Sequence, residues 1–272
     1  MAHLTLSDGD SLYYEVHGQG PALLLVSGLN GVASFWADHV PALAERFTVV
    51  LHDHRGTGRS SRSRIAYSVD QMAGDVIQLM DGLALERAHL VGHSTGGAIG
   101  QTLALDRPER IDRLVLSATW TAADAYFRRL FEVRGEILRA SGPGAYIRAN
   151  ALFMRPPSWT RDREAEIEAE EAAGAGGFPP PEVMLSRITA ILRFDRRADL
   201  PRIAAPTLVI GARDDIVTPA YYSEELGRLI PRAETVILPQ GGHFFPVTAP
   251  EDFRRIVLGF LARPGQDARA AQ

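Results

Sequence analysis

The chain has 272 residues, 46% of them hydrophobic, which is enough for one large α/β domain with a full core carrying an insertion. A net charge of −4, a pI of about 6.1 and the lack of a Lys/Arg cluster that could follow phosphates argue against a nucleic-acid partner. The absence of cysteine excludes a disulfide framework, a thiolate zinc site and a cysteine nucleophile.

The N-terminal stretch MAHLTLSDGDSLYYEV has neither the basic nor the apolar part of a signal peptide, and no apolar run approaches the roughly eighteen residues of a membrane span. A soluble, cytoplasmic protein with no membrane partner is expected; oligomeric state is left open. Leu4 to Leu6 and Leu12 to Val16 alternate apolar and polar residues about Ser7-Asp8-Gly9-Asp10, an antiparallel hairpin. Ala22 to Val26 is a continuous apolar run, the mark of a strand covered on both faces. It runs into the loop Ser27-Gly28-Leu29-Asn30-Gly31, and a helix is expected over 34–45. Phe47 to Leu51 is the next strand, and His52-Asp53-His54-Arg55-Gly56-Thr57-Gly58-Arg59-Ser60 follows it. Alternate histidines at a strand end, without a further matched ligand pair, make a poor zinc site, so no metal is expected there; Asp53 and Arg55 read as a structural pair fixing the loop. Val69, Met72, Val76, Leu79, Met80 and Leu83 form the stripe of an amphipathic helix.

Ala88 to Val91 is again apolar, Gly92-His93-Ser94-Thr95-Gly96 interrupts it, and Ala98, Ile99, Thr102, Leu103 and Leu105 recur at helical spacing up to Pro108. This is strand, sharp turn, helix. A serine in such a turn can be held in a strained conformation at the strand end, provided the residues two before and two after it lack bulk. By chance alone a G-x-S-x-G string arises in roughly one chain in ten of this composition. Context raises its weight: Gly96, Gly97 and Gly100 sit in the first turns of the helix, where each costs about 1 kcal/mol relative to alanine, and such a helix packs its backbone closely against something. Ile111 to Leu116 is the next buried strand. The regular alternation since Ala22 argues for a doubly wound, mostly parallel sheet with function at the carboxyl ends of its strands.

From Trp120 to about Arg197 the alternation stops. Helical patterns at Tyr126 to Arg139 and Arg161 to Ala173 are separated by Ser141-Gly142-Pro143-Gly144, Arg155-Pro156-Pro157 and Gly174 to Pro181, which reads as an all-helical cap over the strand ends. Trp120, Phe127, Phe153, Met154 and Trp159 within it, and Phe244 beyond it, are candidates for a substrate pocket, though ordinary core is the commoner fate of such side chains. Pro206 to Gly211 resumes the strand pattern and delivers Ala212-Arg213-Asp214-Asp215, where a carboxylate can orient an imidazole; an Asp capping the following helix accounts for Asp215 about as well. Thr235 to Leu238 is the last strand, and His243 follows in the loop Gln240-Gly241-Gly242-His243. A helix from Pro250 to Leu261 precedes a polar tail from Arg263, expected to be disordered. The expected organisation is a core of residues 1–119 and 198–262, a helical cap of residues 120–197 and a tail of residues 263–272.

With Ser94, an acid and His243 in that order, the sequence resembles the α/β-hydrolase superfamily over nearly its whole length. The motifs that carry the resemblance are the G-x-S-x-G turn, the D-x-R-G-x-G-x-S loop at Asp53 to Ser60, the G-x-x-D at Gly211 to Asp214 and the Gly-Gly-His at 241–243. The resemblance implies an α/β-hydrolase fold, with Ser94 as nucleophile, His243 as general base, Asp214 as the acid and Asp215 as its fallback, and Leu29 and Thr95 as oxyanion-hole amides. Ser27-Gly28 departs from the His-Gly common in the superfamily. The cap is most similar to that of RutD-like aminoacrylate hydrolases, in Trp120, Phe131-Glu132-Val133-Arg134, Ala151-Leu152-Phe153 and Trp159, and the similarity continues from Ala212 to Asp215 and Ser223 to Leu226. Enol-lactonases of aromatic catabolism are also similar. The implied activity is hydrolysis of a small ester, lactone or amide through an acyl-enzyme, without cofactor or metal, an ester substrate ranking before a C–N one. Its rivals are water addition to an aminoacrylate-like substrate, cofactor-free perhydrolysis, and binding of a small ligand without turnover.

Overall fold

In the computed structural model, which describes residues 2–263, eight strands form one sheet in the order β1-β2-β4-β3-β5-β6-β7-β8. The strands are β1 (Ala2–Thr5), β2 (Ser11–His17), β3 (Ala22–Val26), β4 (Thr48–His52), β5 (Ala88–His93), β6 (Ile111–Ser117), β7 (Thr207–Ala212) and β8 (Ala233–Leu238). β1 and β2 pair antiparallel, as does β2 with β4; every other pairing is parallel. The expected tail lies outside the described residues except for Arg263.

The period-two geometry of a strand divides the core. Leu24 and Val26 of β3, Leu90 of β5 and Leu114 and Leu116 of β6 face one layer, whereas Leu23, Leu25, Val91 and Val115 face the other. Each such side chain is almost fully buried, and burial is worth about 1.5–3 kcal/mol apiece. Helix α1 (Val40–Ala44) is short, and Ala33–Trp36 before it is a separate 3-10 turn, so the single helix expected over 34–45 is broken. Pro41, which has no N–H to donate, sits in the first turn of α1, a position that suits a helix start and not a helix interior. Helix α2 (Val69–Gly82) is capped by the Ser68 hydroxyl, which accepts from Gln71 N–H at 3.0 Å, and buries its apolar stripe. Helix α3 (Thr95–Asp106) follows β5 directly and is buried from Thr95 to Leu105.

Four helices lie between β6 and β7: α4 (Ala125–Met154), α5 (Pro157–Arg161), α6 (Glu164–Gly177) and α7 (Pro181–Arg193). The break expected at 141–144 survives as a kink in α4, where Gly142 adopts φ 77° just before Pro143. Helix α6 runs on through Gly174 to Gly177, past the expected stop, and Pro179 and Pro180 follow it. Where the segment leaves and rejoins the core, Ala122 and Asp195 form a β-bridge and Arg196 N–H donates to the Thr121 carbonyl at 3.1 Å. The chain ends with α8 (Ala220–Leu229) before β8, then α9 (Phe245–Thr248) and α10 (Pro250–Leu261). Among the described residues no helix is long and apolar enough to cross a membrane.

Candidate active site

Ser94 joins β5 to α3 with φ 54° and ψ −115°, a left-handed conformation that a side chain normally avoids. Its neighbours make the turn possible. A Cβ on Gly92 would lie 2.2 Å from the Gly96 carbonyl oxygen, and one on Gly96 2.0 Å from that of Val26. The strain is held by the sheet: Ser94 N–H donates to the Ser117 carbonyl at 2.8 Å, and Ser94 carbonyl accepts from Gly97 and Ala98 N–H at 2.9 and 3.2 Å. The hydroxyl stands at the floor of a cavity of about 610 Å³, a size that suits a small organic molecule.

His243 lines the same cavity, and its Nε2 lies 3.0 Å from Ser94 Oγ. Its Nδ1 lies 2.9 Å from Asp215 Oδ2. The other Asp215 oxygen accepts from the N–H groups of Val217 and Thr218 at 2.7 and 3.0 Å, and Oδ2 also accepts from the Thr218 hydroxyl at 2.8 Å. A carboxylate occupied in this way accepts only, so Nδ1 carries the ring hydrogen and Nε2 is bare toward the serine.

The acid beside His243 is therefore Asp215 and not Asp214. The turn after β7, closed by Asp215 N–H to Ala212 carbonyl at 3.2 Å, sends the two consecutive carboxylates in different directions. Asp215 is 2% exposed and reaches the imidazole, whereas the exposed Asp214 accepts from Gly241 and Gly242 N–H at 3.1 and 2.9 Å. Asp214 thus fastens the loop that presents His243. The helix-cap role weighed for Asp215 is not what it does: α8 begins at Ala220 after Pro219 with no side-chain cap, and the Asp215 bonds to Val217 and Thr218 close the preceding turn, one oxygen serving that turn and the other the imidazole.

Leu29 follows the β3 strand end, and Thr95 opens α3, where the first amides have no intrahelical acceptor. Among the described residues neither N–H donates within the chain's loops and turns. Leu29 is fixed from behind by Arg187 of α7, a side chain that sequence reasoning passed over. Its Nε and Nη2 donate to the Leu29 carbonyl at 3.1 and 2.8 Å, Nη1 to the Arg55 carbonyl at 2.9 Å, and Nη2 also meets His54 Nδ1 at 3.1 Å. Arg187 is fully buried, and that desolvation pulls its pKa down to about 10.

The pairing expected of Asp53 and Arg55 is exchanged. Asp53 binds Arg59 Nε at 2.8 Å and accepts from Ala33 N–H at 2.8 Å; burial alone would raise its pKa, and these hydrogen bonds hold it below the ordinary value. Arg55 instead reaches Asp75 at 2.7 Å and Asp10 at 2.9 Å, together with Asp8. His52 and His54 stack at 4.9 Å, and desolvation holds His52 at about 4 and His54 well below its ordinary value. No group of three or more metal-ligating side chains occurs among the described residues.

Of the expected pocket aromatics, Phe244 lines the cavity, as does Met154. Trp120, Phe127, Phe153 and Trp159 do not. Trp120 and Phe127 are fully buried against each other at 4.7 Å, and Phe127 continues to Phe131 at 4.6 Å, so they tie α4 to the core. Phe153 packs on that core, and Trp159 is flanked by the Arg155 and Arg163 guanidinium groups, each at 4.7 Å. Phe35, Phe131, Ile147 and Phe178 supply the apolar wall in their place. Phe35 also stacks at 4.8 Å on His93, whose Nδ1 lies 3.1 Å from Ser117 Oγ and whose pKa burial pushes well below its ordinary value.

Residues 21–250 match the family model described as alpha/beta hydrolase fold. A relative from Caulobacter sp. strain K31 bearing the name "Putative carbamate hydrolase RutD" is 46% identical over 93% of this chain and 96% of its own length. One of the same name from Azorhizobium caulinodans is 45% identical over 95% and 98%. Among solved structures, a hydrolase from Pseudomonas aeruginosa PA01 superposes with TM-score 0.88 at 32% identity, over 96% of this chain and 98% of that one. The enol-lactonase from Burkholderia xenovorans LB400 does so with TM-score 0.89 at 27% identity, over 96% and 100%. The family model's match to residues 21–250, with relatives 45–46% identical over nearly the whole chain, settles the family: the chain belongs to the α/β hydrolases.

Proposed function

We propose that the chain is a serine hydrolase that cleaves a small ester, lactone or amide through an acyl-enzyme. The observation that carries this reading is the line from Ser94 Oγ to His243 Nε2 at 3.0 Å and from Nδ1 to Asp215 at 2.9 Å, in the floor of the cavity and on a strained turn. A protein that only holds a ligand has no use for that strain.

Nε2 takes the hydroxyl proton as Oγ bonds to the acyl carbon, and the carbonyl electrons move to oxygen. The Leu29 and Thr95 amides, which have no main-chain acceptor among the described residues, stabilise that oxyanion. The imidazolium, whose charge Asp215 offsets, protonates the departing alkoxide or amine. Water then gives a proton to Nε2 and attacks the acyl carbon, releasing the acid and restoring Ser94. The helices of residues 120–197 act as the cap that limits the size of both fragments.

Replacing Ser94 with Ala lowers turnover of a p-nitrophenyl ester by at least about a thousandfold, the scale of loss of a triad member. Activity within tenfold of the parent, or no mass increment on Ser94 from a fluorophosphonate probe, overturns the covalent route. The names of the RutD relatives favour one alternative bond, a carbamate or amide C–N. The same serine serves it, and a panel of esters, lactones and carbamates run on the parent and S94A ranks the two.

A further inference from the structure

Two arginines of the helical segment are buried, and they differ in how their nitrogens are spent. Arg187 commits every guanidinium nitrogen to carbonyls and an imidazole. Arg134, on α4 in the wall of the cavity that holds Ser94, commits one: Nη2 donates to the Tyr146 hydroxyl and to Asn150 Oδ1, each at 2.9 Å. Its Nε is sealed without an acceptor; Nη1 makes no hydrogen bond among the described residues, yet is not sealed.

Arg134 is 4% exposed, and among the described residues no carboxylate comes within 4.0 Å of it. Glu170 on the same wall is taken by Arg155. The rings of Phe131 and Tyr146, at 4.7 and 5.0 Å, give the cation partial compensation. Arginine does not escape burial by losing its proton, and an unpaired buried charge costs several kcal/mol. Asn150 adds a donor. Arg134 is donor-only, so the Asn150 atom facing it is the oxygen, and the Nδ2 hydrogens of this cavity-lining residue are left for a ligand.

We propose that Arg134, aided by the Asn150 amide, receives a carboxylate carried by the substrate, so that the cavity selects acyl compounds bearing a free acid group. For catalysis this rests on the serine-hydrolase reading; for binding it stands alone. Ethyl hydrogen succinate and ethyl butyrate differ in having a carboxylate where the other has a methyl group. The parent protein prefers the succinate in kcat/KM by about 30-fold or more, the loss expected when one partner of a buried charge pair is absent. R134M brings the ratio to near one, chiefly through KM, with butyrate turnover within about threefold of the parent. Equal losses on both esters, or no preference in the parent, overturn the proposal.

A binding arm separates this from failure of the hydrolase reading. Succinate raises the Tm of S94A and leaves that of S94A/R134M unchanged. If neither ester is turned over, the hydrolase reading falls and this shift decides the subsite: present and lost with Arg134, it stands; absent, it falls. Should R134M not fold by circular dichroism, N150L carries the same comparison, with an expected loss of preference of about tenfold; an unchanged preference in that variant overturns the assignment.

Discussion

The strand-end rim and the helical segment above it enclose one cavity, but they are held by different means. On the rim, Ser94, Asp215 and His243 each leave a strand or its following turn, and hydrogen bonds to main-chain groups fix them: Ser94 N–H donates to the Ser117 carbonyl, the Asp215 carboxylate accepts from the Val217 and Thr218 N–H groups, and the Gly241 and Gly242 N–H groups of the His243 loop donate to the Asp214 carboxylate. The segment of residues 120–197 is closed at its base by the Ala122–Asp195 bridge, meets the rim through Phe244 N–H, which donates to the Met154 carbonyl at 2.8 Å, and is further seated by side chains, Trp120 and Phe127 below and Arg187 midway along α7. On the proposed reading, the reacting groups stand on the strand ends and much of the wall that meets the substrate stands on the helical segment.

Breaking the rim has the largest effect. In D215N the amide keeps one acceptor for the Val217 and Thr218 N–H groups but offers an N–H to His243 Nδ1, which favours the wrong tautomer; kcat falls about 10⁴-fold while urea-induced unfolding changes little. A loss under tenfold removes Asp215 from the triad. The link between the two regions comes next. R187M leaves the Leu29 and Arg55 carbonyls buried without their donor and loosens the loop that offers the Leu29 amide, so kcat falls about 30-fold with KM nearly unchanged. A purely structural Arg187 would lower Tm and leave kcat per folded molecule intact.

The same contrast explains what was legible in the sequence. The β5–Ser94–α3 turn could be read because its determinants are local: a buried run, glycines at 92 and 96 that no Cβ could replace, and helical spacing from Ala98. His243 was readable from its flanking glycines. The choice between Asp214 and Asp215 was not, since neighbouring carboxylates differ only in which way a turn aims them, and that depends on the loop at 241–242. In the helical segment the pattern gave the first half of α4 and most of α6 but neither α5 nor α7, and not what any of them packs against. Trp120 and Trp159 look alike as large aromatics in a cap, yet one is sealed under Phe127 and the other lies between two guanidinium groups. Nothing local marks Arg134 and Arg187 as buried, because arginines are mostly exposed and it is long-range packing that covers these two.

Acid sharpens the comparison from the rim side. His39, His52, His54 and His93 all lie against the sheet, and burial lowers the pKa of each, to about 4 for His39 and His52. A histidine whose folded pKa is depressed lends its full stability above the unfolded value of 6.5 and surrenders it as pH falls toward the folded value. Between pH 6.5 and 4, His39 and His52 each cost about 1.4 kcal/mol per pH unit. At pH 5 that is roughly 2 kcal/mol for His52, and urea titrations at pH 7.5 and 5 on the parent and H52N should differ in their pH dependence by this amount. An H52N variant with the parent's acid slope would place the sensitivity elsewhere.

The smallest expected effect tests the neighbouring carboxylates. D214A strips the acceptor from the Gly241 and Gly242 amides without touching His243, so the imidazole stays bonded to Asp215 but its loop gains freedom. Losing these charge-assisted bonds at an exposed residue should cost about 1 kcal/mol of stability and lower kcat about tenfold. The pH dependence of kcat should keep its shape, because the groups that exchange the proton are intact. A loss in D214A as deep as that in D215N would mean that the loop turns over in solution and that the acid is shared; a silent D214A would mean that Thr248, whose hydroxyl donates to the Gly241 carbonyl at 2.6 Å, holds the loop by itself.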